Sequence, residues 1–342
     1  MRKMATIRKI KSINSIPGAD NIEVARVDGW DVVVKKGEFK AGDLCVYCEI
    51  DSLLPERPEF EFMRARKFRV KTVKLRGQIS QGLIFPLSIL PLGCYVFNEN
   101  EDIGVDVSDA LGIIKWEPKL PVHLGGHTMR TFPGWLPKTD EERVQNLGRT
   151  LENILADKQI FTYITEKLHG TSITCYLRDG VFGVCSRNNE KKDEKGCTYW
   201  ETARKENIEW KLRLLSKELS IPNIACQGEL CGPGINKNTL KLKELEIFWF
   251  NFFDIDKYEY FNYNELNDVK RFGFKLVPVL FTASPLHADV DLWVKFADHL
   301  HSTFPDANQA EGVVVRDMSR KHINRLSFKV INNTFLLKEK DA

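Results

Sequence analysis

Short apolar runs separated by turn residues characterise the first quarter of the chain. Between residues 7 and 86 these runs read IEVARV, WDVVV, LCVYCEI, FRVKTVKL and GLIFPL, and Gly, Pro and Asp residues separate them. Apolar and polar positions alternate within several of the runs, which predicts short β-strands. About five such strands in about 80 residues are typical of a small closed barrel such as an OB-fold. We therefore predict an N-terminal OB-fold β-barrel.

The pattern changes after residue 104. Glycine and proline pairs such as those at 125–126 and 133–134 predict an irregular connection, and residues 140–147 have the pattern of the start of a short helix. Farther on, helical periodicity around 200–219, 263–270 and 290–303 alternates with the apolar runs FTYITEKL, TSITCYL, VFGVCS, IFWFNFFDI, GVVVR and LSFKVI. This mixture predicts an α+β unit built on largely antiparallel sheets. The predicted division is an N-terminal domain over residues 1–104, a linker over 105–148 and a second domain over 149–342.

Composition and charge narrow the function classes. The 342 residues are 43% apolar and 28% charged, with a net charge of +3, which excludes a disordered chain and a histone-like polycation. The start, MRKMATIRKI, lacks the apolar stretch of a secretory signal, and no run of 18 apolar residues predicts a membrane span. Cys45 and Cys48 form the only C-x-x-C pair and have no second pair at zinc spacing. We therefore expect free thiols in a reducing cytoplasm or nucleus.

A basic strip, defined as residues 64–76, contains seven cations and no acid. If this segment is a strand, Arg69 and Lys71 share one face, as do Lys74 and Arg76. Such a row of cations suits the phosphates of a nucleic acid, and OB-folds commonly bind one. A solvated strand face that discourages edge pairing explains the same residues equally well. The strip is thus a candidate nucleic-acid surface formed by Arg69, Lys71, Lys74 and Arg76.

Five short segments of the second half place polar groups at or near the ends of apolar strands. They read TEKLHGTS at 165–172, VCSR at 184–187, QGELCGPGI at 227–235, FNFFDI at 250–255, and EGVVVR at 311–316 with SFKVIN at 327–332. A core strand that ends in a polar residue explains each of them individually at least as well as a functional site does. A free lysine is neutral in only about one of several thousand molecules at pH 7. Neighbouring cations or a metal would lower the pKa of Lys167 and make attack by its amine possible.

In their order, the five segments resemble the motifs of the covalent nucleotidyltransferases, which comprise ATP-dependent DNA and RNA ligases and capping guanylyltransferases. The first motif of that superfamily is K-x-D-G, and KLHG at 167–170 resembles the K-x-H-G variant of the second RNA ligase family. An OB-like module ahead of the transferase unit, together with TDEERVQN at 139–146, resembles the fifth RNA ligase family. The resemblance implies an adenylyltransferase domain, similar to ATP-grasp ligases, with antiparallel sheets and flanking helices.

The resemblance also implies roles for individual residues. Lys167 would be the catalytic nucleophile that takes AMP from ATP as a phosphoramidate, and Arg187 would contact the nucleotide sugar. Glu229 and Glu311 would hold a hydrated Mg²⁺ or Mn²⁺, Phe253 would stack on adenine, and Lys329 would contact the α-phosphate. The ATP- and AMP-binding residues implied by the resemblance are Glu166, Lys167, His169, Arg187, Glu229, Phe253, Glu311 and Lys329.

Two positions depart from the family patterns. A second lysine usually follows two residues after the one at 329, but Ile331 stands there, and Lys338 or a cation of the basic strip is a candidate substitute. His169 replaces a carboxylate, so the organisation of a metal rests more on Glu229 and Glu311.

The activity implied by the resemblance is that of an AMP-forming, ATP-dependent RNA ligase of the kind that repairs RNA. It would join 3′-hydroxyl and 5′-phosphate ends, at nicks in duplex RNA, with ATP and Mg²⁺ or Mn²⁺ and without a membrane or an obligate protein partner. Two alternatives stay open. One is a nucleic-acid-binding OB protein with a degenerate transferase domain, and the other is a DNA ligase or a capping-type nucleotidyltransferase.

Overall fold

The computed structural model describes residues 2–91, 102–117 and 122–338. Cys94 and part of the predicted linker, including Pro118 and Pro121, lie outside these ranges. Within them, no helix has the length and apolar character that crossing a membrane requires.

The N-terminal part of the chain is built almost entirely from short strands. These strands are β1 (Ala5–Ser15), β2 (Ile22–Val27), β3 (Trp30–Lys35), β4 (Leu44–Cys48), β5 (Ser52–Leu53), β6 (Thr72–Leu75), β7 (Gln78–Gln81), β8 (Leu83–Pro86) and β9 (Ile114–Lys115). One α-helix, α1 (Ser108–Leu111), and the 3₁₀ helices Pro58–Arg66 and Leu87–Ile89 accompany them. Five strands form an antiparallel sheet in the order β3-β2-β1-β4-β8, and β6 pairs with β7 as a separate hairpin. The strands predicted from the five apolar runs are present, and the long β1 is an addition to them.

Strand β1 connects the two halves of this sheet. Its first part, residues 5–9, pairs with β4, and its second part, residues 10–15, pairs with β2, with a register irregularity between Ile10 and Ser12. Ile7 and Ile10 therefore enter two different apolar clusters, the first with Val46 and the second with Trp30. Burial on both faces is what makes this sheet a packed barrel-like module.

Residues after 104 continue the packing of this module. Val107, Leu111 and Ile113 belong to the same apolar cluster as Ile7, and β9 pairs with β5. Ile7 also donates its backbone N–H to Val105 O at 3.1 Å. The part of the chain that packs with the N-terminal module thus extends to about Lys115, whereas the division at 104/105 is a prediction from the sequence pattern.

The rest of the chain mixes strands and helices, as predicted. Its strands are β10 (Thr128–Thr131), β11 (Glu142–Arg143), β12 (Phe161–Lys167), β13 (Thr171–Arg178), β14 (Val181–Ser186), β15 (Asn189–Lys191), β16 (Ile224–Cys231), β17 (Glu246–Asp254), β18 (Glu259–Tyr260), β19 (Val279–Pro285), β20 (Gly312–Asp317) and β21 (Ser327–Ile331). Its α-helices are α2 (Val122–Gly125), α3 (Gly148–Asp157), α4 (Thr198–Lys205), α5 (Ile208–Leu219), α6 (Tyr263–Asp268), α7 (Val290–Asp298) and α8 (Asn333–Lys338). The 3₁₀ helices are Val144–Asn146, Asn236–Asn238 and Val269–Phe272.

Two sheets organise this second part. One has seven strands in the order β10-β15-β14-β13-β16-β17-β18, and the other has five in the order β11-β21-β20-β12-β19. All pairs are antiparallel except β11 with β21, which is parallel. The core of the larger sheet includes residues of α4 and α5, and the core of the smaller one includes residues of α3 and α7. The α+β class predicted from the sequence is therefore confirmed.

The segment before α3 is not the helix start that the sequence predicts. Residues 142–143 are extended as β11, residues 144–146 form a 3₁₀ turn, and α3 begins only at Gly148. The reason is that this segment contacts the N-terminal module. Gly29 N donates to Gln145 O at 3.0 Å, and Trp30 Nε1 donates to Asn146 Oδ1 at 2.7 Å.

The connection between β12 and β13 joins the two sheets. Strand β12 ends at Lys167 in the five-stranded sheet, and β13 begins at Thr171 in the seven-stranded sheet. Gly170 in the connection allows a close approach, because a Cβ atom there would lie 2.4 Å from Leu230 O and 2.5 Å from Cys231 Sγ. Lys167 is thereby placed where the two sheets meet.

Candidate active site

A cavity of about 350 Å³ lies at the junction of the two sheets. Its wall includes residues from all five segments that the sequence analysis singled out. These are Lys167 and His169, Arg187, Glu229, Phe250, and then Glu311, Arg316 and Lys329. The fold thus brings together segments that are as far apart in the sequence as residues 167 and 329.

The Lys167 amine lies against a carboxylate. Its Nζ donates to Glu311 Oε1 at 2.6 Å, and the two side chains are 27% and 12% exposed. Burial disfavours the ammonium form, but the charges of Glu311 and Glu229 outweigh it and raise the pKa of Lys167 above its ordinary value. Glu311 Oε2 is buried and has no hydrogen-bond partner among the described residues. That oxygen is available to accept from a ligand or a metal-bound water.

Glu229 completes a group of three ionisable side chains. Its Oε1 accepts the backbone N–H of Gly170 at 3.1 Å. Burial raises the pKa of Glu229 to about 7, with Lys167 opposing the shift and Glu311 adding to it. Two carboxylates close to one amine suit a site that also admits a cation, because added positive charge would stabilise both in the ionised form.

Asp140 is a pocket residue that the sequence analysis did not single out individually. Its Oδ2 contacts Arg187 Nη2 at 3.1 Å, its Oδ1 accepts from Lys329 Nζ at 3.2 Å, and it also pairs with Lys115. Burial favours the neutral acid, but the three cations hold the pKa of Asp140 far below its usual range. Burial lowers the pKa of Lys329 to about 8, and Asp140 opposes that shift. The signal in the sequence was the acidic run 140–142, interpreted there only as a helix start.

His169 lines the cavity and contacts Phe335 and Thr239. Its ring lies 5.0 Å from that of Phe335 in a perpendicular arrangement. Its Nδ1 is 3.5 Å from Thr239 Oγ1. Next to it, Asn236 Nδ2 donates to Gly170 O at 2.6 Å. These contacts fix the loop between β12 and β13 from helix α8 and from residues 236–239.

The Glu166 carboxylate, for which the resemblance implied a role in nucleotide binding, is bound by residues of a neighbouring loop. It accepts from Ser302 Oγ at 2.6 Å and from the backbone N and Oγ1 of Thr303 at 2.9 and 2.6 Å. The residue is only 2% exposed. The side chain anchors the loop that follows α7, and the residue borders the cavity next to the nucleophile.

Phe250 and Tyr199 line the cavity, whereas Phe253, which was predicted to stack on adenine, does not. The Phe253 ring is fully buried, with the rings of Tyr258 and Tyr260 each 5.1 Å away. Phe250, three residues earlier in β17, lines the cavity, and the Arg316 guanidinium lies 5.4 Å from the centre of its ring. The pairing of β16 with β17 is irregular at this point, which changes the face on which each aromatic side chain falls.

The basic strip is not one continuous strand. Residues 64–66 end a 3₁₀ helix, β6 covers only 72–75, and Arg76 lies in the turn between β6 and β7 with a φ of 49°. Arg69 is 3% exposed, pairs with Asp51 at 2.8 Å and lies 3.3 Å from the centre of the Trp116 ring. Arg69 is therefore a buried residue of the N-terminal module, and its assignment to a nucleic-acid surface is wrong. Lys74 and Arg76 are exposed, and Lys71 is half-buried.

The position of the missing second lysine is buried. Ile331 is 4% exposed, and Lys338 Nζ donates to Gln309 Oε1 at 3.3 Å rather than lining the cavity. Charges near Lys329 come instead from Arg2 and Arg143, which both disfavour its ammonium form. Lys338 is thus not placed to substitute for the lysine.

Direct metal coordination has no ready-made site in the described part of the chain, where no three His, Cys, Asp or Glu side chains form a suitable group. Cys45 and Cys48 are buried in β4. The seven described cysteines are free thiols. Glu229 and Glu311, with the unpartnered Glu311 Oε2, fit a cation held through its water molecules.

Comparisons with known proteins agree with this architecture. A family model described as RNA ligase matches residues 161–331, and a model described as an OB-fold domain matches residues 4–87. The N-terminal OB-fold predicted from the sequence is thereby confirmed. No curated protein matches the chain.

Solved structures of a Naegleria gruberi RNA ligase match over the whole length. A nucleotide-free variant is 36% identical, with 100% of this chain and 99% of that chain covered and a TM-score of 0.88. The complex with pyrophosphate and a variant with AMP and Mn are each 36% identical, cover 100% of both chains and have TM-scores of 0.87. The fold and the lysine-centred pocket are those of a nucleotidyltransferase. More narrowly, the chain belongs to the RNA ligase family.

Proposed function

We propose that this protein is an ATP-dependent RNA ligase that joins a 3′-hydroxyl to a 5′-phosphate through a lysyl-AMP intermediate. The observation that carries the proposal is the position of the Lys167 amine, 2.6 Å from Glu311 in a cavity also lined by Glu229 and Lys329. Similar proteins from Naegleria gruberi have been solved with ATP and Mn and with AMP and Mn. A cavity lined by the Lys167 amine together with Arg187 and Lys329 fits the same use of ATP here.

The first step would form one bond and break one. The Lys167 amine, after losing its proton, attacks the α-phosphorus of ATP, and the bond from that phosphorus to the β-phosphate oxygen breaks, so pyrophosphate leaves. Lys329 and Arg187 lie on the cavity wall where they would offset the charge that develops on the phosphate. Phe250 would stack on adenine, since its ring faces the cavity beside Val277 and Leu168.

The lysine carries a proton at neutral pH, because Glu311 and Glu229 stabilise its ammonium form. Glu311 and Glu229 would hold a hydrated divalent cation, Mg²⁺ or Mn²⁺, which supplies positive charge to the carboxylates and to the phosphates when bound. Glu311 lies within hydrogen-bond distance of the Lys167 amine and is therefore the group that would accept its proton.

The two later steps would act on RNA. An oxygen of the RNA 5′-phosphate attacks the phosphorus of the lysyl-AMP, the phosphorus–nitrogen bond breaks and Lys167 is released. A 3′-hydroxyl then attacks the 5′-phosphate and displaces AMP, which seals the strand. We propose a nick in duplex RNA as the substrate, in keeping with the family and with an N-terminal OB-fold module, and a reducing cytoplasmic or nuclear compartment, in keeping with the free thiols.

Intact-mass spectrometry of the protein after incubation with ATP and Mn²⁺ tests the first step. We expect the mass to increase by one adenylate, on Lys167, and Lys167→Ala to abolish both the adduct and sealing. Lys158→Ala, at an exposed lysine outside the cavity, is the matched control and should form the adduct normally. An unchanged mass of the unmodified protein would contradict the proposal.

The same reaction distinguishes the alternatives. Binding of RNA with no nucleotide adduct would favour a nucleic-acid-binding protein with a degenerate transferase domain. An adduct formed from GTP rather than ATP would identify a capping-type enzyme. Sealing of nicked duplexes with DNA or RNA on each side of the nick would then separate an RNA ligase from a DNA ligase.

A further inference from the structure

The Asp140 carboxylate at the wall of the cavity binds three cations, of which Arg187 and Lys329 also line the cavity. Asp140 Oδ2 lies 3.1 Å from Arg187 Nη2, Asp140 Oδ1 lies 3.2 Å from Lys329 Nζ, and Lys115 Nζ also donates to Oδ2. The Asp140 side chain is 29% exposed and Lys329 only 9%. A phosphate oxygen in place of the Asp140 carboxylate would therefore contact the same cations.

The three cations come from three separate parts of the fold. Lys115 belongs to β9, which pairs with β5 of the N-terminal module. Arg187 directly follows β14 of the seven-stranded sheet, and Lys329 is in β21 of the five-stranded sheet. Three cations around one carboxylate repel one another. In the absence of a ligand, the Asp140 carboxylate offsets this repulsion and keeps the three head groups together.

We propose that Asp140 is a positioning residue that assembles Lys115, Arg187 and Lys329 into one phosphate-binding group and keeps Lys329 in its charged form. This inference rests on the proposed function, since it gives the ATP phosphates as the ligand of that group. Asp140 acts through its neighbours and takes no part in the reaction itself.

The charges around Lys329 show why its proton depends on Asp140. Lys329 is surrounded by Arg143 of the neighbouring strand β11, Lys167 of β12 and Arg2 near the N-terminus, all of which disfavour an ammonium. Burial acts in the same direction and is the largest cause of its lowered pKa of about 8. Asp140 is the group that opposes these effects, and its own pKa is far below neutrality. Without this carboxylate, Lys329 would release its proton at a lower pH.

Binding of α,β-methylene-ATP, which Lys167 cannot cleave, tests this inference by calorimetry from pH 6 to pH 9 with Mg²⁺ present. The quantity of interest is the dissociation constant of Asp140→Asn divided by that of the unmodified protein, because the ionisation of the ligand cancels in the ratio. We expect a ratio above one already at pH 6, where Lys329 is charged in both proteins, because the three cations are no longer held together. The ratio should rise about tenfold by pH 9 for each unit by which the Lys329 pKa falls.

Two further variants complete the test. Lys329→Gln removes the titrating group, so adding Asp140→Asn to it should give a ratio that no longer rises with pH. Asp157→Asn, at an exposed residue of α3, should give a ratio of one throughout. A ratio above one that is constant with pH would mean that Asp140 only supports the fold and would overturn the inference. A constant ratio below one would mean that Asp140 merely competes with phosphate and would also overturn it.

The proposed function can fail separately. If the unmodified protein neither binds the analogue nor forms an adduct with ATP, the proposed function is wrong. If the unmodified protein does both and the ratio does not rise with pH, only the role of Asp140 is wrong.

Discussion

At the scale of single residues, several charged groups of the cavity lie against an opposite charge. Lys167 lies against Glu311, and Lys329 and Arg187 lie against Asp140. Such pairs hold the side chains in place before a substrate arrives, which reduces the reorganisation that binding requires. The same pairs must loosen as phosphates bind, because a carboxylate and a phosphate compete for the same cations.

Exchange of Phe250 for alanine should separate adenine binding from stability. We expect Phe250→Ala to weaken binding of ATP by about 1–3 kcal/mol, because a base stacked on an aromatic ring is worth about that much. Phe253→Ala should instead lower the free energy of unfolding by about 3–5 kcal/mol, because the ring is fully buried. Denaturant unfolding and calorimetric titration of both variants measure the two quantities. Weaker ATP binding by a correctly folded Phe253→Ala, with normal binding by Phe250→Ala, would reverse the assignment.

Phe250 and Phe253 also show which feature of the site the sequence alone does not predict. The motif located the strand, and Lys167, Arg187, Glu229, Glu311 and Lys329 all line the cavity as the motif order implied. Which ring of FNFFDI faces the cavity depends on the irregular pairing of β16 with β17, and a single sequence does not encode that register visibly. Asp140 was missed for a related reason, since its three partners are distant in the sequence.

At the scale of elements, the short connection between β12 and β13 sets the position of the nucleophile. It passes from one sheet to the other in three residues, and Gly170 packs against Leu230 of β16. Its backbone N–H also donates to Glu229. The glycine therefore fixes the distance between the amine and one of the two carboxylates.

Gly170→Ala should disturb both packing and chemistry. The added Cβ would lie 2.4 Å from Leu230 O, so the connection has to move away from β16. We expect a loss of about 1–3 kcal/mol in the free energy of unfolding, as for other overpacked sites, together with slower formation of the lysyl-AMP. Gly134→Ala, where a Cβ has open space, is the matched control and should change the unfolding free energy by less than about 0.5 kcal/mol. Equal stability of the two variants would contradict this interpretation.

Element prediction was most successful where apolar periodicity was strong. The strands around FTYITEKL, TSITCYL and GVVVR and the helix at 208–219 occur where the pattern placed them. Residues 140–147 failed as a predicted helix because contacts with Gly29 and Trp30 of the N-terminal module hold them in an extended and 3₁₀ form. Tertiary contacts of this kind outweigh local propensity and leave no trace in the hydrophobic pattern.

At the scale of the whole molecule, the N-terminal module docks on the strand that borders the cavity. Arg143 of β11 lies 3.4 Å from Asp51 and 3.6 Å from Glu49, and Asn146 donates to Glu49 at 3.0 Å. Arg26 of β2 pairs with Asp291 at the start of α7. The module is therefore held next to β11, and the residues just before β11, Asp140 and Glu141, line the cavity.

The exposed cations of the β6–β7 hairpin provide a test of that arrangement. We expect Lys74→Ala with Arg76→Ala to weaken sealing of nicked RNA duplexes most at low salt and less at higher salt, because the contribution of the lost phosphate contacts itself falls as salt rises. Formation of the lysyl-AMP should remain within about twofold of normal, since neither residue lines the cavity. Lys217→Ala with Lys295→Ala, at exposed positions on α5 and α7, controls for the loss of two charges. Impaired adenylylation in the hairpin variant would show that the hairpin acts on ATP or on the fold.

The segment 140–147 has a consequence for engineering hybrid ligases. Its Asp140 lines the cavity, and its Gln145 and Asn146 contact the N-terminal module. The segment is therefore part of both the active site and the interface with the module. A chimera that takes its first 104 residues from another ligase would present a foreign surface to these side chains. The unit to exchange between ligases is consequently the N-terminal module together with the chain that follows it, up to the first turn of α3.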